Sequence, residues 1–228
     1  MQPKLHSYCI DKTISVLYND SKFDVINKLF DCKISPLGFD ERILLMQRGS
    51  YIIDRLAIKK FRVHWFGGHY LYPHSHAGYV RGFSDAGTKC AQLFNIAVSS
   101  WKKGNIKSSF IALGGATHLV QDLCIPFHTT NLALKKHIHF ERWMSANYLD
   151  LSIGLENGTY KFESLKGHYN DQSAFGWVDY NAHNSSKYLP ELLYASKSAD
   201  YFKSLNIILP QAIKTSAGFL KLFAKKVS

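Results

Sequence analysis

Residues 114–141 read GGATHLVQDLCIPFHTTNLALKKHIHFE. His118 and Asp122 stand four apart, with apolar Leu119, Val120 and Leu123 among them. On a helix that interval sends both polar side chains off the same face. Gly104-Asn105 ends whatever helix precedes, and Pro126 cannot continue the one that follows. The spacing therefore predicts a helix over 106–123. His137 and Glu141 repeat the four-residue interval on a second predicted helix over 136–149, and His128 sits in the connection just after Pro126.

A lone His-x3-Asp pair on a helix is usually an exposed hydrogen-bonded pair. Two such pairs, joined by D-x3-P-x-H, form a far less common pattern. Leu119, Val120, Leu123 and Ile125 send this face into a core. A buried carboxylate needs a charge partner, and a metal ion supplies one. Imidazole nitrogen and carboxylate oxygen are ordinary zinc ligands, and two His with one Glu and an open position is a catalytic zinc arrangement.

Outward from this stretch the pattern stays helical. Residues 6–18 place Cys9, Ile10, Ile14 and Leu17 on one face. Helices are expected over 21–30, from the Pro36/Gly38 turn to 48, over 84–102, over 178–194 and over 210–226. The 84–102 helix presents Ala91, Leu93, Phe94, Ile96 and Ala97. Residues 49–82 are rich in Gly, His and aromatics without a clean period, and read as a long ordered loop. Residues 154–176 read as an irregular polar excursion with room for a short hairpin. Strand signals are weak, so the expected fold class is all-α, a single multi-helix domain.

The chain has 228 residues and 46% hydrophobic composition, enough for one domain with a real core. Its 20% charged residues exclude a disordered tail, and 15 Gly with 6 Pro exclude a fibrous chain. Lys and Arg exceed Asp and Glu by 28 to 17, a formal +11 that favours anionic partners. Lys102, Lys103, Lys107, Lys135, Lys136, Lys221, Lys225 and Lys226 sit at predicted helix ends, and there is no dense basic block. Cys9, Cys32, Cys90 and Cys124 are widely spaced and form no CxxC pair, so buried free thiols are expected. No apolar run reaches the ~18 residues of a membrane span, and residues 1–5 lack a signal-peptide core. As written, the chain reads as cytoplasmic.

Eleven histidines are unevenly spread. His64, His69, His74 and His76 crowd the stretch VHWFGGHYLYPHSH, and periodicity does not choose among them. Nor does it show whether Asp54, in GSYIID, is a ligand or a helix cap.

LGGATHLVQDLCIPFH followed by HIHFE resembles the zinc-dependent phospholipase C family, the bacterial enzymes that include clostridial alpha-toxin. That family shows H-x3-D-x3-P-x-H and then H-x3-E. The related P1/S1 nucleases usually end in H-x3-D within an Asn-Leu-His context, so Glu141 favours the phospholipase branch. HSYCIDKTISVL resembles the family's first helix, which opens with a zinc-binding His and so matches His6. GSYIID resembles the segment with the catalytic Asp, matching Asp54. FGGHYLYP resembles F-x-x-H-F-x-D-P and selects His69, although Tyr72 stands where the family has Asp. AIKTSAGFLKLF resembles the last helix of the catalytic domain. The resemblance runs from His6 to about Phe223 and aligns poorly over 149–181. Residues 1–228 thus read as one catalytic domain, without the toxins' C-terminal lipid-binding domain.

The resemblance implies two or three zinc ions. One would take His128, His137 and Glu141; a second, Asp54, His69, His118 and Asp122; a third, His6 with Asp122 bridging. In the family the third also uses a mature N-terminal tryptophan, whereas this sequence has Met1, with residues 2–5 before His6. The implied reaction is hydrolysis of a phospholipid at a membrane surface to diacylglycerol and a phosphorylated head group, Asp54 orienting or deprotonating the attacking water. Phe66 is implied to meet a choline-type head group, and Arg55 an anionic one. Family members are usually secreted. Two other functions compete: a P1/S1-type nuclease or 3′-nucleotidase, for which the positive charge would suit nucleic acid, and a non-catalytic metal-dependent membrane-binding protein. No protein partner is implied. Trp65, Phe66, Tyr70 and Tyr72 would either touch a bilayer interface or pack the loop that carries His69.

Overall fold

The computed structural model describes residues 1–31, 37–60, 68–78, 84–130, 134–150, 154–163, 170–195 and 197–228, with the side chains of 54–60, 134 and 150 outside the description. In chain order the helices are α1 (Pro3–Asn19), α2 (Phe23–Phe30), α3 (Phe39–Lys60), α4 (Ala86–Lys102), α5 (Ile106–Asp122), α6 (Leu134–Asn147), α7 (Ala174–Ser186), α8 (Leu189–Tyr194) and α9 (Ser198–Lys226). Single 3-10 turns occupy Pro126–Thr129 and Tyr148–Asp150. No strand occurs among the described residues, so the all-α class holds. No described helix is long and apolar enough to cross a membrane.

The fold is built around α5. The Asn105 side chain starts it by accepting from the Ser108 amide, which satisfies one of the amides a helix start leaves open. Every residue from 112 to 129 is buried, as expected of a helix apolar on all sides. Two glycines make the approach of α3 to α5 close. A Cβ on Gly114 would stand 2.0 Å from the Met46 carbonyl oxygen, and one on Gly49 would stand 1.9 Å from that of Ile111. Each helix thus lends a glycine to the backbone of the other.

The far end of α5 is held by α7. Asn181 Nδ2 donates to the Val120 carbonyl at 2.8 Å, and Ser185 Oγ donates to that of Leu123 at 2.7 Å. These are carbonyls that a helix end would otherwise leave unpaired inside the core. The last turn of α5, which carries His118 and Asp122, is therefore fixed by polar contacts as well as by packing.

Several expectations about the elements change. Gly49 does not begin a loop: α3 runs on to Lys60, because Gly49 serves close packing and does not break the helix. The helix expected over 178–194 begins at Ala174 and is divided into α7 and α8, with Pro190 opening the second. Pro210 is not a start signal but lies inside α9, which begins at Ser198. Ile96 is 53% exposed because the buried stripe of α4 follows Cys90, Phe94, Ala97 and Trp101. Helix α1 starts at Pro3, so His6 sits inside its first turns and not at its head. Residues 154–163 are irregular, with no hairpin among the described positions. Cys9, Cys90 and Cys124 are buried free thiols; Cys32 lies outside the described residues.

Candidate metal centre

Five segments deliver polar side chains to one buried place. Helix α1 brings His6, the segment after Gly68 brings His69 and Tyr70, α5 brings His118 and Asp122, the Pro126–Thr129 turn brings His128, and α6 brings His137 and Glu141. Asp122 is the hub. Its Oδ2 lies 2.8 Å from His69 Nδ1 and 3.0 Å from His118 Nε2, which are 3.3 Å from each other. Its Oδ1 lies 3.2 Å from His6 Nε2 and 2.7 Å from the Met1 α-ammonium. The His6 and His118 rings stack with centroids 3.9 Å apart.

A second group meets the first at one edge. His128 Nε2 and His137 Nε2 are 3.2 Å apart, and Glu141 Oε1 lies 3.2 and 2.8 Å from them. His128 Nε2 is also 3.9 Å from Asp122 Oδ1. The Met1 ammonium touches both groups, standing 2.9 Å from Glu141 Oε1. His6, His118 and Asp122 form one set able to hold a metal ion, and His128, His137 and Glu141 form another.

The outer nitrogens of four of these rings are occupied. His128 Nδ1 donates to the His69 carbonyl at 2.7 Å. His6 Nδ1 pairs with Gln121 Oε1 at 2.7 Å, His118 Nδ1 with Ser50 Oγ at 3.2 Å, and His137 Nδ1 with Tyr70 OH at 3.1 Å. Such outer partners set tautomer and ring orientation in metal sites. All four rings therefore turn Nε2 inward, and His69 turns Nδ1 inward.

Burial alone would raise the Asp122 carboxyl, but the Met1 ammonium, His118 and His128 outweigh it and hold it well below the usual range. Burial would likewise raise Glu141, and the Met1 ammonium with His128 and His137 holds it well below. Burial, reinforced by the neighbouring His118, pushes His6 down to about 4. Burial also lowers His137. Near neutral pH the centre thus offers ionised carboxylates and neutral His6 and His137.

That state explains an oddity. His6 Nε2 is buried without a hydrogen-bond partner, although a carboxylate oxygen lies 3.2 Å away. With its proton on Nδ1, the Nε2 lone pair faces the lone pairs of Asp122. His128 is oriented in a similar way: with the His69 carbonyl at its Nδ1, it turns Nε2 to Glu141 Oε1 at 3.2 Å. Lone pair against lone pair is unfavourable unless a cation stands between. A nitrogen and oxygen donor set with no sulfur suits zinc or a comparable divalent ion.

Of the site residues expected from the sequence, His6, His69, His118, Asp122, His128, His137 and Glu141 come together. Asp54 and Arg55 fall on α3, but their side chains lie outside the described set, and Phe66 lies outside the described residues. Trp65, His64 and His168 lie outside them as well. Tyr70 is not an exposed interface aromatic. It is buried, stacks on His128 with centroids 5.0 Å apart, and holds His137. Ser50 and Gln121 were missed altogether: polar residues one helical turn or one position away from a candidate ligand carry no distinctive spacing. Away from this centre, His76 and His183 converge on Asp179 Oδ1 at 2.9 and 3.2 Å.

The family model for zinc-dependent phospholipase C matches residues 31–195. The phospholipase C of Paraclostridium bifermentans is 27% identical over 146 residues, 58% of this chain and 35% of that protein. The solved alpha-toxin of Clostridium absonum superposes with a TM-score of 0.81 at 20% identity, over 98% of this chain and 64% of that one. The alpha-toxin of a Clostridium perfringens avian strain gives 0.76 at 18% identity, with the same coverage. This chain therefore spans about a third of the phospholipase C and about two thirds of the solved toxins it matches.

Proposed function

This chain belongs to the zinc-dependent phospholipase C family, and from that premise we propose that it hydrolyses glycerophospholipids at a membrane surface to diacylglycerol and a phosphorylated head group. The observation that carries the reading is the inward-facing set of four Nε2 atoms, one Nδ1 and two depressed carboxylates. Residues 1–228 would act as one catalytic unit.

His128, His137 and Glu141 would hold one zinc ion. Asp54, His69, His118 and Asp122 would hold a second, and His6 with Asp122 a third, giving two or three in all. Bound zinc supplies positive charge to the phosphoryl oxygens and makes water acidic enough to attack near neutral pH. The chain's part is to fix where this happens. Asp122 shares its two oxygens between the His6 side and the His69/His118 side, which holds those positions at one spacing. Burial of His6, His69, His118, Asp122, His128 and His137 keeps these side chains from rotating away. Asp54 would orient the attacking water and take its proton. Arg55 would favour an anionic head group, and Phe66 would stack on a choline-type cation.

The test is turnover of zinc-loaded protein on vesicles of phosphatidylcholine and of phosphatidylglycerol, following diacylglycerol, with single-stranded DNA in parallel. Phospholipid hydrolysis that chelation abolishes and zinc restores is expected. Cleavage of DNA without lipid hydrolysis, or full activity after chelation, would overturn the reading. A clear preference for phosphatidylcholine would remove the role of Arg55.

A further inference from the structure

We propose that Gln121 is a positioning residue: it locks His6 in the tautomer that carries its proton on Nδ1, and so aims the Nε2 lone pair at Asp122, where a divalent cation would sit. The inference rests on the metal-centre reading. Gln121 immediately precedes Asp122 on α5, and Gln121, His6 and Ser216 are all fully buried.

The direction of each hydrogen bond follows from the one before. Ser216 Oγ, on α9, donates its only proton to the Ala212 carbonyl at 2.7 Å. It can therefore only accept from Gln121, whose Nε2 lies 3.2 Å away. With the amide nitrogen facing Ser216, the amide oxygen faces His6 Nδ1 at 2.7 Å. An oxygen there accepts, so Nδ1 carries the ring proton. The Nε2 lone pair is then left 3.2 Å from Asp122 Oδ1, buried and with no donor to meet it. Three helices, α9, α5 and α1, thus combine to present one lone pair.

The reverse arrangement has a cost. Turning the amide over would require Ser216 to release Ala212, and would place the His6 proton on Nε2, where it could donate to Asp122. That form satisfies the protein without a cation and occupies the ligand position with hydrogen. Gln121 acts against it. Outer partners of this kind typically change metal affinity by about 10–100-fold.

Two measurements on the full chain test this. Long-range proton–nitrogen spectra of the zinc-free protein read the His6 tautomer directly. Chelator competition with elemental analysis reads zinc affinity and count. Wild type is expected to carry the Nδ1 proton. Gln121→Leu, which removes the acceptor, is expected to shift the proton to Nε2 and to weaken one zinc by about 10–100-fold while leaving the others unchanged. Gln121→Glu, which still accepts, is expected to keep both the tautomer and the zinc. Should the Leu variant fail to fold, Ser216→Ala removes what orients the amide and is expected to mix the tautomers. An unchanged tautomer and zinc affinity in Gln121→Leu would overturn the proposal, as would equal zinc loss in the Leu and Glu variants. If wild type binds no zinc at all, the metal-centre reading fails, and the spectra still decide whether Gln121 sets the tautomer.

Discussion

His128 Nε2 and His137 Nε2 face each other across 3.2 Å, and Glu141 Oε1 closes the triangle at 3.2 and 2.8 Å. Zinc held tetrahedrally at about 2.0–2.1 Å keeps its ligand atoms about 3.3 Å apart, close to these spacings. His137→Ala should remove one zinc per chain and cut phospholipid turnover by more than about 100-fold, since even outer-contact changes cost 10–100-fold. Elemental analysis beside a turnover assay checks it. Unchanged zinc content would remove His137 from the ligand set.

The other face of that ring is held by Tyr70 OH at 3.1 Å from Nδ1. Tyr70→Phe keeps the stack on His128 and loses only the hydroxyl. Zinc affinity at the His128/His137/Glu141 group should fall by about 10-fold, read by chelator competition, with the helical circular dichroism unchanged.

Zinc that binds only the folded chain stabilises it. At a free concentration about 1,000 times the dissociation constant the gain is about 4 kcal/mol, or about 10 °C in Tm for a chain of this length. Calorimetry before and after EDTA should show that drop and its recovery on adding zinc. A Tm indifferent to chelation would contradict a metal tied to the fold.

The zinc-free protein should lose stability as pH falls from about 6.5 to 4. His6 is pushed from 6.5 down to about 4 in the fold, chiefly by burial. In that interval the unfolded chain takes up a proton and the folded one does not, so acid favours unfolding. The contribution is fully present above 6.5 and lost towards 4, about 3 kcal/mol in order of magnitude. Asp122 and Glu141 lie well below their usual values and add a loss at still lower pH. Urea melts of wild type and His6→Gln across this range check the sign; equal slopes for both would refute it.

Gly49→Ala and Gly114→Ala should each destabilise by about 1–3 kcal/mol, because the added carbon would stand 1.9 or 2.0 Å from a carbonyl oxygen of the facing helix. Neither glycine has a positive φ, so the effect is contact and not backbone strain. Urea titration measures it, and Gly38→Ala, with nothing within 4 Å, serves as the control.

Local chemistry decided how much of this was legible. Helical class, the ends of α4 and the run 114–141 could be read because periodicity, Asn105, Gly104 and Pro126 act over a few residues. Glycine and proline misled where their role was tertiary. Gly49 lies in mid-helix because the backbone of α5 passes over it, and Pro210 sits within α9 although it cannot donate an amide hydrogen bond. Whether Tyr70 meets an interface or packs the loop of His69 stayed open, because a sequence does not show which side of a loop faces the core.

The sequence by itself determined which residues could serve a metal and put His118 with Asp122, and His137 with Glu141, on common helix faces. These are intervals of one turn, which any helix enforces. Only the tertiary structure brought His6 and His69 to Asp122, joined the two groups at His128, and chose Ser50, Tyr70 and Gln121 to hold the outer nitrogens. Apart from the short step between Asp122 and His128, those contacts join residues at least 53 apart in the sequence, and a hydrogen bond of that separation depends on how helices pack rather than on how each one forms.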